Sequence, residues 1–132
     1  MDQGPLVNEQ IDAGRELAVE LGSGYKPLQT ALWLKESDSE NWFLYLASDQ
    51  IDDSNFDLAY GEVLRLLGPG PYLWLDPFQV KVRGVDDPLV KDVLEIQRKY
   101  PANIARRIRN RMLGGLSIEE AYLYAMPITV SS

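Results

Sequence analysis

The side chains best suited to bind another molecule are arginines near the C-terminal end of this 132-residue chain. The cationic cluster consists of Arg98, Lys99, Arg106, Arg107, Arg109 and Arg111. Residues 81–132 carry 9 basic and 6 acidic side chains, whereas residues 1–80 carry 4 and 14, and the net charge is −7. Guanidinium groups bind carboxylates and phosphates through paired hydrogen bonds. The cluster therefore predicts a surface for an anionic partner or, as the alternative, internal ion pairs with the acidic half.

The spacing of three arginines predicts how they are presented. In a β-strand, Arg107, Arg109 and Arg111 share one face at intervals of about 6.6–6.8 Å. That interval is close to the separation of successive phosphates on one nucleic-acid strand. In a helix, the same residues would spread around the axis as an ordinary solvated surface. We expect a strand, with at least two of the three exposed and not fully neutralised.

Aromatic residues on predicted strands extend this candidate surface. They are Trp33, Tyr45, Trp74, Tyr122 and Tyr124. If helices cover only one face of a small sheet, some rings face outward and stack on bases or bury against a partner protein. For most of the rings, placement in the core is favoured over either of these roles. The candidate binding residues are therefore Arg106, Arg107, Arg109, Arg111, Trp33, Tyr45, Tyr122 and Tyr124.

The composition argues against most catalytic and metal chemistries. Without His or Cys, the chain lacks thiol nucleophiles, disulfides, a Ser-His-Asp triad and the usual zinc ligands. The aspartates of residues 49–57 lack the order of an EF-hand, and helix capping explains them without an ion. Adjacent Glu119 and Glu120 would point to opposite faces of a strand, which is unsuitable for a catalytic pair. We expect no cofactor and no metal, and the composition disfavours catalysis without deciding it.

The sequence predicts neither export nor membrane insertion. Its N-terminal Met-Asp-Gln-Gly-Pro has no basic region and no apolar stretch of the kind found in signal peptides. The longest apolar runs, such as Ala31–Leu34, are far shorter than a membrane-spanning helix. Together with the lack of cysteine, these features favour a cytoplasmic protein.

Apolar residues recur at helical spacing in three segments, each followed by glycine or proline. The predicted helices are 6–21, 56–67 and 88–100. Pro88 suits a first helical turn, and Asp87 before it is a suitable N-cap. We expect one α+β domain over residues 1–132, with loosely ordered tails at 1–8 and 127–132.

Short aromatic and aliphatic runs predict the strands. The runs at 30–35 and 42–47 are joined by a polar turn and predict a β-hairpin. Extended segments are expected at 72–75 and 78–82. The first hairpin and the segment 78–82 should supply the centre of the core.

The segment 102–126 has two interpretations. Ile104, Ile108 and Met112 fit a helix stopped by glycine. The alternation of arginines with other residues, and the pair Gly114-Gly115, instead fit a β-hairpin with a type I′ turn. Propensity alone leaves both open.

Six short stretches match a known pattern in their order and spacing. They are Ala31–Leu34, Trp42–Leu44, Leu46–Ser48, Ala59-Tyr60, Asp87–Leu89 and Ile118–Tyr124. Together they resemble a functionally unassigned family of small bacterial proteins over roughly residues 10–126. The resemblance implies a compact α+β domain whose last segments pair as strands, and it implies no activity, substrate or cofactor. We therefore expect a four- to five-stranded, mainly antiparallel sheet with about three helices.

Three classes of function compete for this chain. The best supported is a non-catalytic protein–protein interaction module that binds another protein or a second copy, through its sheet face or an open edge strand. The alternative is a nucleic-acid or anion-binding module that uses the arginines of residues 106–111, and the net charge of −7 counts against nucleic acid. The third class is a small carboxylate- or metal-dependent enzyme, which the lack of His and Cys disfavours.

Overall fold

The structure, a computed structural model, describes residues 6–24, 28–68 and 74–128. Within these ranges it contains three α-helices and one five-stranded sheet, in the predicted order helix, hairpin, helix, strand, helix, hairpin. The helices are α1 (Asn8–Gly24), α2 (Phe56–Leu67) and α3 (Pro88–Lys99). The strands are β1 (Leu28–Glu36), β2 (Phe43–Ser48), β3 (Val80–Arg83), β4 (Arg106–Leu113) and β5 (Leu116–Leu123). The prediction of an α+β fold is confirmed.

The sheet is mixed, with the strand order β3-β2-β1-β5-β4. Neighbouring strands pair antiparallel except β2 and β3, which run parallel. A parallel pair needs a crossover connection, and the chain makes it through α2. β1 therefore lies at the centre of the sheet, while β3 and β4 are its outer strands.

The last hairpin forms as the glycine pair predicts. Leu113 and Leu116 pair directly across a two-residue turn. Gly114 and Gly115 in that turn have φ angles of 57° and 83°, the positive values that a type I′ turn requires. The hairpin interpretation of residues 102–126 is confirmed, and the helical one is wrong.

Helices cover both faces of the sheet. On one face, α1 and α2 pack over fully buried side chains that include Trp33 and Leu44. On the other face, α3 packs over Leu32 and Leu34. Successive residues of β1 therefore enter different cores, because side chains alternate across a strand. The expectation that helices leave one face of the sheet open is wrong.

The predicted strand at 78–82 begins two residues late and lies at the edge of the sheet. Pro77–Gln79 form a 3-10 turn, and Phe78 is 84% exposed. The Asp76 carboxylate accepts a hydrogen bond from the Phe78 N–H, and the Asp76 N–H donates to the side chain of Gln79. This reciprocal cap overrides the alternating pattern at Phe78. Only the two valines of β3 reach the core, so this segment does not form its centre.

The N-terminus of α3 is fixed on two sides. Asp87 caps it as predicted, since its carboxylate accepts hydrogen bonds from Leu89 N–H at 2.9 Å and Val90 N–H at 3.3 Å. The Gly114 N–H donates to an Asp92 carboxylate oxygen at 2.6 Å. The β4–β5 turn is thereby held against α3.

Two predictions fall partly outside the described residues. Within the predicted loose tails, 1–8 and 127–132, the structure describes 6–8 and 127–128; there Leu6 is buried and Ile128 packs against the core. Of the predicted extended segment 72–75, only Trp74 and Leu75 are described, and neither belongs to a strand.

A candidate anion-binding surface on the outer strand

All four candidate arginines, called here the β4 arginines, lie on the outer strand of the sheet: Arg106, Arg107, Arg109 and Arg111. Arg106 is partly exposed and the other three are exposed. Among the described residues, β4 pairs only with β5, so its second edge is open. The expectation of a strand with at least two exposed arginines is confirmed.

The four β4 arginines differ in the internal contacts that their guanidinium groups make. Arg107 Nη1 donates to Glu120 Oε2 at 3.1 Å, and the Arg107 guanidinium carbon lies 5.3 Å from the Tyr122 ring centre. Arg106 lies 4.8 Å from the Tyr100 ring centre. Within the described part of the chain, Arg109 and Arg111 have no acidic side chain within 4 Å. Internal ion pairing therefore accounts for Arg107, whereas the guanidinium groups of Arg109 and Arg111 form no ion pair with any described residue.

The other outer strand, β3, also carries cations but places them in internal contacts. Lys81 Nζ lies 4.9 Å from the Phe43 ring centre. Arg83 lies 5.6 Å from the Tyr45 ring centre and pairs with Asp87 at 3.4 Å. Positive charge is thus common to both edges of the sheet, and unpartnered positive charge distinguishes β4.

Along β5, the alternation of side chains between the two faces of the sheet is reversed once. The Ser117 carbonyl and the Tyr124 N–H both bond toward β1, although these residues are seven apart. In a regular strand, residues that bond to the same neighbour are an even number apart. The pairing register shifts between Lys35 and Glu36, opposite Glu119, which is the extra residue of a β-bulge. Beyond the bulge at Glu119, the side chains of β5 therefore alternate between the two faces of the sheet in the opposite order.

In β4, the alternation of side chains between the two faces is reversed at Asn110. Asn110 has a φ of 53°, a left-handed conformation that asparagine tolerates better than most residues. Arg107 and Arg109 pair with β5 residues on the α1 side, whereas Arg111 pairs with Ile118, which is buried on the α3 side. Directly opposed residues share a face. The expectation of one common face is correct for Arg107 and Arg109 and wrong for Arg111.

Three of the four candidate aromatic residues are buried: Trp33 (0% exposed), Tyr124 (1%) and Tyr45 (6%). The Trp33 Nε1–H donates to the Tyr124 hydroxyl at 2.9 Å, and that hydroxyl donates to the Ile11 carbonyl at 2.5 Å. Burial raises the pKa of the Tyr45 and Tyr124 hydroxyls above the ordinary value. These three rings form no exposed stacking face. Of the four candidate aromatic residues, only the half-buried Tyr122 lies beside the β4 arginines, under Arg107.

The aspartates of residues 49–57 hold local structure. The Asp52 carboxylate accepts hydrogen bonds from the Ser54 hydroxyl and N–H, which lower the pKa of Asp52. Asp57 lies in the first turn of α2, where the helix dipole favours an acid. Over the three described ranges, no group of His, Cys, Asp or Glu residues is arranged to hold a metal ion. None of the helices in those ranges is long and apolar enough to cross a membrane.

Several residues around the β4 arginines were not identified from sequence. Tyr100, Ile104 and Met112 are more than half exposed and add apolar area at the ends of the strand. Asn110 offered a signal, because asparagine is enriched at left-handed positions. Tyr100 offered none, since its position beside Arg106 depends on how α3 packs against the sheet.

The β4 arginines can bind carboxylates or phosphates, because a guanidinium group offers donors in a planar fork matched to both. The resemblance to an unassigned bacterial family stays a prediction. Comparisons with protein-family models, with curated proteins and with solved structures found no match to this chain.

Proposed function

We propose that this protein is a non-catalytic protein-interaction module that binds an acidic segment of a partner protein at the β4 arginines. The observation that carries the proposal is the pair Arg109 and Arg111, exposed and without an internal acidic partner among the described residues, in a chain of net charge −7. Carboxylates supplied by a partner can form the ion pairs that these guanidinium groups do not make within the described part of the chain. The surface therefore favours an acidic protein.

A second copy of the chain suits this surface poorly. In a two-fold symmetric pairing of two antiparallel β4 strands, the arginine-rich segment of one copy would lie against the same segment of the other. Like charges placed directly opposite each other on neighbouring strands are destabilising. A different, acidic protein is thus a better partner for β4 than a homodimer.

Nucleic acid is the second candidate, because guanidinium groups also bind phosphates. Two observations weaken it. The reversal at Asn110 places Arg111 on the opposite face from Arg107 and Arg109, which breaks the even spacing along one face. The burial of Trp33 also removes its ring from base stacking, on which single-strand binders depend.

An NMR titration of the isotope-labelled protein with a short synthetic peptide of alternating Glu and Thr tests the proposal. The amide shifts should change on β4 and its surroundings. At about 50 mM salt, where surface charge is weakly screened, the Arg109→Gln/Arg111→Gln variant should bind about tenfold more weakly or worse. The matched control is Lys91→Gln/Lys99→Gln, which removes the same charge from exposed positions of α3 and should bind nearly as well as the wild type.

Three outcomes would contradict the proposal. Equal weakening in both variants would assign the binding to net charge rather than to β4. Binding of oligothymidylate that is tighter than binding of the peptide, and that is lost with the arginines, would replace the protein partner with nucleic acid. No binding of either probe would remove the functional role of the surface.

A further inference from the structure

The backbone of β4 presents hydrogen-bonding groups beyond the sheet. The Tyr124 N–H bonds to β1, and this fixes which residues at this end of β5 face β4. Arg106 and Ile108 bond inward through their pairing with those residues. Arg107 and Arg109 therefore direct their backbone N–H and C=O groups toward the open edge. These two residues offer four backbone groups, in ladder spacing, to an added strand.

The same two residues also carry their side chains on one face. Residues directly opposite each other in a ladder share a face, so partner side chains opposite Arg107 and Arg109 would lie on the α1 side of the sheet. Glu120 lies directly opposite Arg109 in the ladder, but its carboxylate pairs with Arg107. Among the described residues, Arg109 therefore makes no ion pair within 4 Å. A partner strand with an acid at every second position would meet both guanidinium groups.

Asn110 limits the length of this edge. Its left-handed φ of 53° ends the regular ladder, so the usable half of β4 is Arg106–Arg109. Arg111 lies past the interruption and on the other face. Its contribution to an added strand is therefore smaller than that of Arg109.

Cations and bulges on an outer strand also serve to prevent unwanted strand pairing. Protection alone does not account for the difference between the two edges, because on β3 the cations contact aromatic rings or Asp87 while Arg109 contacts neither. For most strands, pairing with β4 is unfavourable, because it would remove water from the arginine side chains without neutralising their charge. An acidic strand is the kind whose side chains remove that penalty.

We infer, resting on the proposed function, that the acidic segment binds by strand addition, as a sixth, antiparallel strand on the Arg106–Arg109 half of β4. In this mode main-chain hydrogen bonds supply affinity and alternate acidic side chains supply specificity. The antiparallel direction is chosen because it gives the more stable ladder.

Backbone methylation of the alternating Glu/Thr peptide tests this inference. In an antiparallel pair, residues opposite Arg107 and Arg109 direct their amides to β4, and those residues are the glutamates. Methylating the Glu amides removes two or more hydrogen bonds and should weaken binding about tenfold or more. Methylating the Thr amides changes the solvent-facing edge and should leave the affinity within about threefold. The Arg107 and Arg109 amides should also exchange with solvent more slowly in the complex.

The remaining outcomes overturn the inference in distinguishable ways. Equal affinity of the two methylated peptides would show that charge alone holds the peptide, which retains the proposed function and overturns strand addition. Weakening by Thr methylation instead would overturn the antiparallel register. An Arg111→Gln variant that loses as much affinity as Arg109→Gln would overturn the placement on the Arg106–Arg109 half. Failure of the unmodified peptide to bind would overturn both proposals.

Discussion

The Tyr124 hydroxyl accepts a hydrogen bond from Trp33 Nε1 at 2.9 Å, inside the core between α1 and the sheet. It also donates to the Ile11 carbonyl of α1 at 2.5 Å. One oxygen atom thus gives the buried Trp33 Nε1–H its partner and connects the end of β5 to β1 and to α1. Gly14 lies over this hydroxyl, in a space that no side chain could enter without displacing it.

The Tyr124→Phe variant should be less stable by about 1–3 kcal/mol, because it leaves the buried Trp33 Nε1–H without its hydrogen-bond partner and removes the bond to the Ile11 carbonyl. Urea unfolding with an unchanged m-value measures this loss. The control is Tyr122→Phe, at a half-buried ring whose hydroxyl has no hydrogen-bond partner among the described residues. It should change stability by no more than about 0.5 kcal/mol. Equal stability of the two variants would contradict the bonding assigned to Tyr124.

Replacement of two helical glycines by alanine should change the stability of the fold in opposite directions. A Cβ at Gly14 would fall 2.9 Å from Trp33 Nε1 and closer still to the Tyr124 hydroxyl, so Gly14→Ala should destabilise the fold by about 1–3 kcal/mol. A Cβ at Gly61 on α2 would meet no described atom within 4 Å, and Gly61→Ala should stabilise by about 0.5–1 kcal/mol through helix propensity. Thermal unfolding of both variants measures the contrast, and a gain of stability at Gly14 would refute the close approach of α1.

Alkaline pH should narrow the stability difference between the wild type and Tyr124→Phe. The pKa of Tyr124 is raised by burial above its usual 10.0, so the folded protein keeps this proton after the unfolded chain has lost it. The contribution is complete below about pH 10 and declines above it by up to about 1.4 kcal/mol per pH unit. Urea unfolding of both proteins at a series of pH values from about 9 to 11 measures the difference. A difference independent of pH would contradict a proton held by burial.

Removal of the unpartnered arginines should leave the fold intact. Arg109→Gln/Arg111→Gln should alter stability by no more than about 0.5 kcal/mol, because neither guanidinium group has an acidic partner to lose among the described residues. Arg107→Gln breaks the surface pair with Glu120 and should cost up to about 1 kcal/mol, less at high salt. Thermal melts at low and high salt separate the two. A large, salt-sensitive loss in the double variant would mean that these arginines pair internally and would end the recognition hypothesis.

Local patterns predicted most of the secondary structure, because helical periodicity, caps and turn glycines are short-range signals. The Asp87 cap of α3 and the Gly114-Gly115 turn are of this kind. Phe78 was misassigned because a cap between Asp76 and Gln79 competes with strand alternation, and the pattern alone does not rank the two.

The features of the site that were not predicted from the sequence depend on contacts between residues far apart in the chain. Trp33 and Tyr124 are 91 residues apart, and their burial follows from α1 covering a face that was expected to be open. The bulge at Glu119 exists only relative to β1, and it determines that Arg109 and Arg111 lie on opposite faces. Sequence could therefore place the arginines on a strand without fixing which of them act together.

The affinity ratio between the wild type and Arg109→Gln/Arg111→Gln for the alternating Glu/Thr peptide tests the central claim most directly. Titration calorimetry at low salt should give a dissociation constant about tenfold higher or more for the variant, at unchanged melting temperature. Affinity should also fall steeply as salt is raised, since the contacts are between exposed charges. Equal dissociation constants for the two proteins would contradict the assignment of β4 as the surface that binds an acidic partner.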